Sequence, residues 1–142
     1  MTNTLANTIE NASAVTEVFG HWPDFHDAEV HAFSVSRDGS EAPSIEARIH
    51  VFEMTPDVDD RGHLLTRDHR LVTLFFANVA ALELDGFNEQ NVLFSLSLEL
   101  GDRSGSDSQA WKVAFEASYG LSARFSCDRV VVRRVELFGN AV

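Results

Sequence analysis

The chain reads as an α+β protein that is mainly β: a curved, mostly antiparallel sheet of about eight strands with one N-terminal helix. Three observations lead there. Apolar residues follow a helical period only as far as Phe19. From Glu29 onward the hydrophobic period is two. The alternating runs are separated by hairpin-length turn signals rather than by helical crossovers. The 142 residues suit a single domain, 1–142, with its β-rich body at 29–138.

The helix is predicted over 5–19, where Leu5, Ile9, Ala12, Val15, Val18 and Phe19 recur at steps of three and four. Met1 to Thr4 should be disordered. Gly20 is placed to end the helix in a left-handed conformation, and Pro23 discourages its continuation. Between helix and strands lies Trp22-Pro23-Asp24-Phe25-His26-Asp27-Ala28-Glu29, a polar run pinned between large aromatics, which marks a turn made under cover of the core.

Strands follow in order. Phe33 and Val35 alternate with serines up to the turn Arg37-Asp38-Gly39-Ser40. Ile45, Ala47, Ile49 and Val51 alternate with Glu46, Arg48 and His50, the pattern of a half-solvated strand. Glu53 to Asp60 reads as a long acidic loop. Leu71 to Val79 is apolar on both faces and should be central. Leu82 and Leu84 lead into the Asp85-Gly86 turn. Val92, Phe94, Leu96, Leu98 and Leu100 form one alternating strand, and Gly101 to Gln109 a flexible hairpin loop. Trp111, Val113, Phe115 and Ala117 should pair with Leu121, Ala123, Phe125 and Cys127 across Tyr119-Gly120, and Val130 to Phe138 supplies the last strand.

Hydrophobic content of 44% and charged content of 23% describe a globular chain. Eleven phenylalanines against two tryptophans and one tyrosine are mostly core filling, since Phe has no polar handle. The formal net charge of −11 argues against a nucleic-acid partner and fits a basic protein partner, or solubility alone. The single cysteine, Cys127, forms no intramolecular disulfide, fits a reducing compartment and should be a buried, inert thiol. Met1 to Thr16 carries no secretory pattern, and no run approaches the roughly 18 apolar residues of a membrane span. These features predict a cytoplasmic protein.

His26 and Asp27 have the residue types of an acid/base pair. In an extended segment neighbouring side chains point to opposite sides, so Asp27 should be badly placed to orient His26. The alternative is a turn in which Asp24 or Asp27 caps free amides and His26 bonds a backbone carbonyl. A metal set drawn from His26, Asp27, Glu29, His31 or His50 has no recognised spacing. Asp57, Asp59, Gly62 and Asp68 share some positions of a calcium loop, but Arg61 stands where an oxygen ligand belongs. No phosphate loop, dinucleotide fingerprint or nucleophile elbow occurs in the sequence. No catalytic residue, metal site or cofactor is assigned.

Five segments together resemble one family, immunity protein 50. They are Phe19 to Val30, Ile49 to Met54, Leu71 to Phe76, Gly86 to Leu93 and Phe115 to Leu121, in that order along the chain. The resemblance implies a cytoplasmic bacterial antidote that binds one cognate toxin and brings no catalytic residues with it. On that reading Glu53, Asp57, Asp59 and Asp60 are candidate partner-binding carboxylates toward a basic toxin, with a nuclease as the candidate class. Trp22, Phe25, His26, Asp27 and Glu29 are then scaffold or interface. The competing reading is a small-ligand- or metal-binding domain, or an enzyme, with a pocket near Trp22, His26, Asp27 and Glu29.

Overall fold

The computed structural model describes residues 8–101 and 111–139. Helix α1 (Ser13–Phe19) precedes strands β1 (Glu29–Ser36), β2 (Ser44–Val58), β3 (Leu64–Ala77), β4 (Ala80–Asp85), β5 (Val92–Leu100), β6 (Trp111–Tyr119), β7 (Ser122–Cys127) and β8 (Arg129–Leu137). All eight lie in one open antiparallel sheet, ordered β4-β7-β6-β5-β1-β2-β3-β8. The fold is mainly β, as the period-two runs require.

The sheet is two four-stranded halves hinged at the β1–β5 seam, where the ladder narrows to the pair Glu29↔Val92. Backbone bonds from Val30 to the Asn91 carbonyl (2.9 Å) and from Leu93 to the Ala28 carbonyl (2.8 Å) close that seam. The halves fold over one another. Phe33 of β1 meets Phe115 of β6 at 5.4 Å between ring centres, and Phe76 of β3 meets Phe125 of β7 at 5.0 Å. Edge-to-face packing of this kind fills the core without polar atoms. Leu71 to Ala77 is buried throughout, because the core covers one face of β3 and neighbours such as the Arg133 guanidinium, 3.7 Å above Phe75, cover the other.

Three expectations change in detail. The helical stripe buries Ile9, Ala12, Val15 and Phe19, yet the helix is interrupted over Ile9 to Ala12 and resumes at Ser13, while Leu5 to Asn7 lie outside the described residues. Glu10 is captured by the open edge of β8 through Glu10 N–H to Val130 O (3.0 Å) and Val132 N–H to Glu10 O (2.9 Å), and Asn11 turns with φ 61. Gly20 ends the helix at φ 82, its N–H bonded to the Thr16 carbonyl at 2.7 Å. In β5, register shifts at Val92/Leu93 and Leu93/Ser95 break the alternation. A bulge reverses which face each side chain takes, so Leu93 is fully buried and Phe94 is 56% exposed. Finally, Glu53 to Val58 is strand, not loop. It pairs with β3 through Glu53↔Arg67, Met54↔Thr66 and Val58↔Leu64, extending the hairpin into an arm. The expected disorder of Met1 to Thr4 and the loop after Gly101 lie outside the described residues.

Candidate functional site

The turn from Trp22 to Ala28 is built on two non-glycine residues at positive φ, Phe25 (64) and Asp27 (69). Such conformations persist only when surrounding contacts over-determine them. Phe25 is 1% exposed and lies 5.7 Å from the Trp22 ring; the Ala28 N–H bonds the Phe25 carbonyl at 3.1 Å, and the Asp27 N–H bonds the Leu93 carbonyl at 2.9 Å. Asp24 Oδ1 accepts the His26 N–H at 2.9 Å, as an aspartate does in a turn.

His26 Nδ1 lies 2.9 Å from the Phe94 carbonyl oxygen. A carbonyl only accepts, so Nδ1 carries the proton and Nε2 faces Asp27 Oδ1 at 3.6 Å. The expectation that Asp27 points away from His26 is therefore corrected: the positive φ of Asp27 removes the extended geometry on which it rested. The Phe94 carbonyl, then Asp27 and Asp24, raise the His26 pKa, while desolvation opposes them. This favours an imidazolium held in an ion pair rather than a free base.

A cleft of about 440 Å³ is lined by Phe19, His21, Trp22, Pro23, Asp24, His26 and Asp27 on one side and Phe52, Glu53 and Met54 on the other. Trp22, His26 and Asp27 thus converge, and Glu53 joins them from β2. Phe25 lies buried beneath, and Glu29 is directed elsewhere, opposite His50 in the β1–β2 ladder. Glu53 is bound by Arg67 Nε (3.3 Å) and Nη2 (3.4 Å), which hold its carboxyl below the usual range.

Asp57, Asp59 and Asp60 sit farther along the arm, all exposed. Asp59 Oδ1 accepts the N–H groups of Arg61 and His63, each at 2.9 Å, and so closes the turn at the tip. The arm's large apolar side chains are exposed: Met54, Val58, Leu64 and Leu65 are 46%, 54%, 53% and 43% exposed. Among the described residues no group of three His, Cys, Asp or Glu side chains is arranged to hold a metal ion. Cys127 is buried, which pushes its thiol up to about 12.

The sequence reading missed a column of rings at the root of the arm. Phe138 stacks on His50 (3.8 Å), His50 Nε2 lies 2.9 Å from His69 Nδ1, and His69 stacks on Phe52 (5.3 Å). His69 Nε2 is 2.9 Å from Thr66 Oγ1. The one available signal was that His50 and Phe52 share the outward phase of β2; their partners come from β3 and from the chain beyond β8, which only the register brings together.

No curated protein and no solved structure significantly matches the chain. A family model described as immunity protein 50 matches residues 11–138, from the turn before α1 to Phe138 just beyond β8. The match therefore takes in the cleft, the arm and the ring column alike. This chain belongs to the immunity protein 50 family.

Proposed function

We propose that the protein is a bacterial, cytoplasmic antidote that neutralises one cognate toxin by binding it, without catalysis, and that the toxin is basic. The observation that carries this reading is the arm. Its strands run beyond the sheet, bury no side chain of their own between Thr55 and Leu65, and expose four large apolar side chains beside Glu53, Asp57, Asp59 and Asp60. A two-stranded ribbon is marginal in water by itself, and exposed apolar residues in company with charge are the composition of an interface. The net charge of −11 would steer a basic partner toward it. A nucleic-acid-cleaving toxin is the basic class that fits best, its phosphate-binding surface meeting carboxylates in place of phosphates.

A second reading, a small-ligand site, draws on the convergence of Trp22, His26 and Asp27 in the cleft. One experiment separates the two: affinity capture with the tagged protein from its own lysate, washed at low and high salt and read by mass spectrometry. A single stoichiometric basic partner, lost at high salt, supports the antidote. An empty bait while the toxin is expressed transfers the assignment to the cleft and a small ligand.

A further inference from the structure

Strand β1 accompanies β2 only as far as the Glu29↔His50 pair, whereas β2 continues to Val58. Upstream of Glu29 the chain does not run on beside β2. Phe25 and Asp27, both at positive φ, turn it toward β5, where the Asp27 N–H bonds Leu93. From Phe52 outward, that edge of β2 has no neighbouring strand among the described residues.

The cleft occupies the vacated place. It touches Phe52, Glu53 and Met54, three consecutive residues of one strand. Consecutive strand side chains point to opposite faces, so a cleft in contact with all three views the strand edge-on. The facing wall carries Trp22, Pro23, Asp24, His26 and Asp27. A carboxylate has about four acceptor positions. Asp24 uses one toward the His26 N–H, Asp27 faces His26 Nε2 and Glu53 binds Arg67, which leaves acceptor positions open on each.

We propose that this edge is a strand-addition site, in which an extended, lysine- or arginine-bearing segment of the partner pairs with the main chain of Phe52 to Thr55, stopping before Pro56, which has no N–H to donate. It takes the position a longer β1 would hold. Main-chain bonds supply affinity, and alternate side chains supply selection. Basic side chains on the added strand meet Asp24, Asp27 and Glu53, with their aliphatic stems against Trp22. The four residues from Phe52 to Thr55 span about 13 Å, enough for a short ladder that ends before Pro56 and the irregular register between Met54 and Val58. The inference rests on the toxin-binding reading and specifies how the toxin is held.

The test uses the whole protein and a fluorescein-labelled dodecapeptide of alternating lysine and valine, read by anisotropy, with amide exchange followed in parallel. Saturable binding tighter than about 1 mM is expected, with new protection among residues 52–55. A peptide with proline at alternate positions, which cannot donate to the ladder, should bind at least about tenfold more weakly, as should a glutamate-for-lysine peptide. The proposal is overturned by no saturable binding, by equal binding of the proline peptide, or by protection elsewhere. If the peptide fails while the tagged protein still captures a toxin, strand addition alone falls. If the peptide binds but the bait stays empty, the toxin reading falls and the edge site stands.

Discussion

The side chain of Asn91 is 3% exposed and makes its hydrogen bonds in three directions. Its Oδ1 accepts from Asn88 N (2.9 Å) and Leu121 N (3.1 Å), and its Nδ2 donates to Asn88 O (2.8 Å) and Val30 O (3.4 Å). One residue thus ties the start of β1, the β4–β5 turn and the β6–β7 turn. Gly120 completes the knot: at φ +87, an added Cβ would collide with the Gln90 carbonyl and Asn91 Oδ1. Asn91→Ala should cost about 2–4 kcal/mol, because buried amides and carbonyls lose partners they cannot replace, read as a lower urea midpoint. A shift below about 0.5 kcal/mol would show that water replaces the side chain. His50 gives a second residue-scale prediction. Burial, then His69 and His31, lower its pKa from 6.5, while Glu29 opposes them; Phe138 covers one ring face. The unfolded state therefore binds more protons, so stability present above pH 6.5 is lost as pH falls through the depressed folded value. His26, raised instead, contributes stability below 6.5 that is lost as pH rises, but it is solvent-exposed and its effect is screened. His50→Gln should flatten the acid limb of urea midpoints measured from pH 7.5 down to 5; an unchanged slope would place the pH dependence elsewhere.

The β2–β3 arm was the element least legible in the sequence, and the reason is physical. Period-two patterning arises when one face is buried, and between Thr55 and Leu65 neither face is. A ribbon exposed on both sides therefore looks like a polar loop. The strands that line the core show the opposite case: Ile45, Ala47, Ile49 and Val51 announced β2, and Trp111, Val113, Phe115 and Ala117 announced β6. In β5 the pattern misled, because the bulge at Leu93 changes the phase without changing the residues' apolar character. The arm's independence from the core is testable. Replacing residues 55–65 by Asn-Gly would join the Met54↔Thr66 pair through a favoured two-residue turn. The thermal midpoint should move by less than about 4 °C, while capture of the basic partner falls at least about tenfold. Loss of folding would make the arm structural. Alanine at Glu53, Asp57, Asp59 and Asp60 together should slow association and flatten its salt dependence; unchanged rates would remove these carboxylates from the interface.

At the scale of the molecule, the site owes its form to the hinge. Pairing with β5 draws the Trp22–Ala28 turn away from β2, and the same detour that closes the seam opens the cleft. That relation was invisible along the chain, where the turn residues and Glu53 are separated by all of β1; only the motif's local features, the Asp24 cap and the backbone bond of His26, were readable in advance. If the two half-sheets share one core, neither should unfold alone. Phe115 is the contact to probe, since it meets Phe33 and Phe76 from one half and Phe125 from its own. The two tryptophans report separately: Trp22 beside the β2 edge and Trp111 in β6. In Trp22→Phe and Trp111→Phe, the remaining indole should give coincident urea midpoints. Adding Phe115→Ala should lower both by the same amount, about 3–5 kcal/mol, through lost burial and the cavity left behind. Midpoints that separate would mean that the β1–β5 seam joins two independently stable layers, and that the cleft beside it can open without unfolding either.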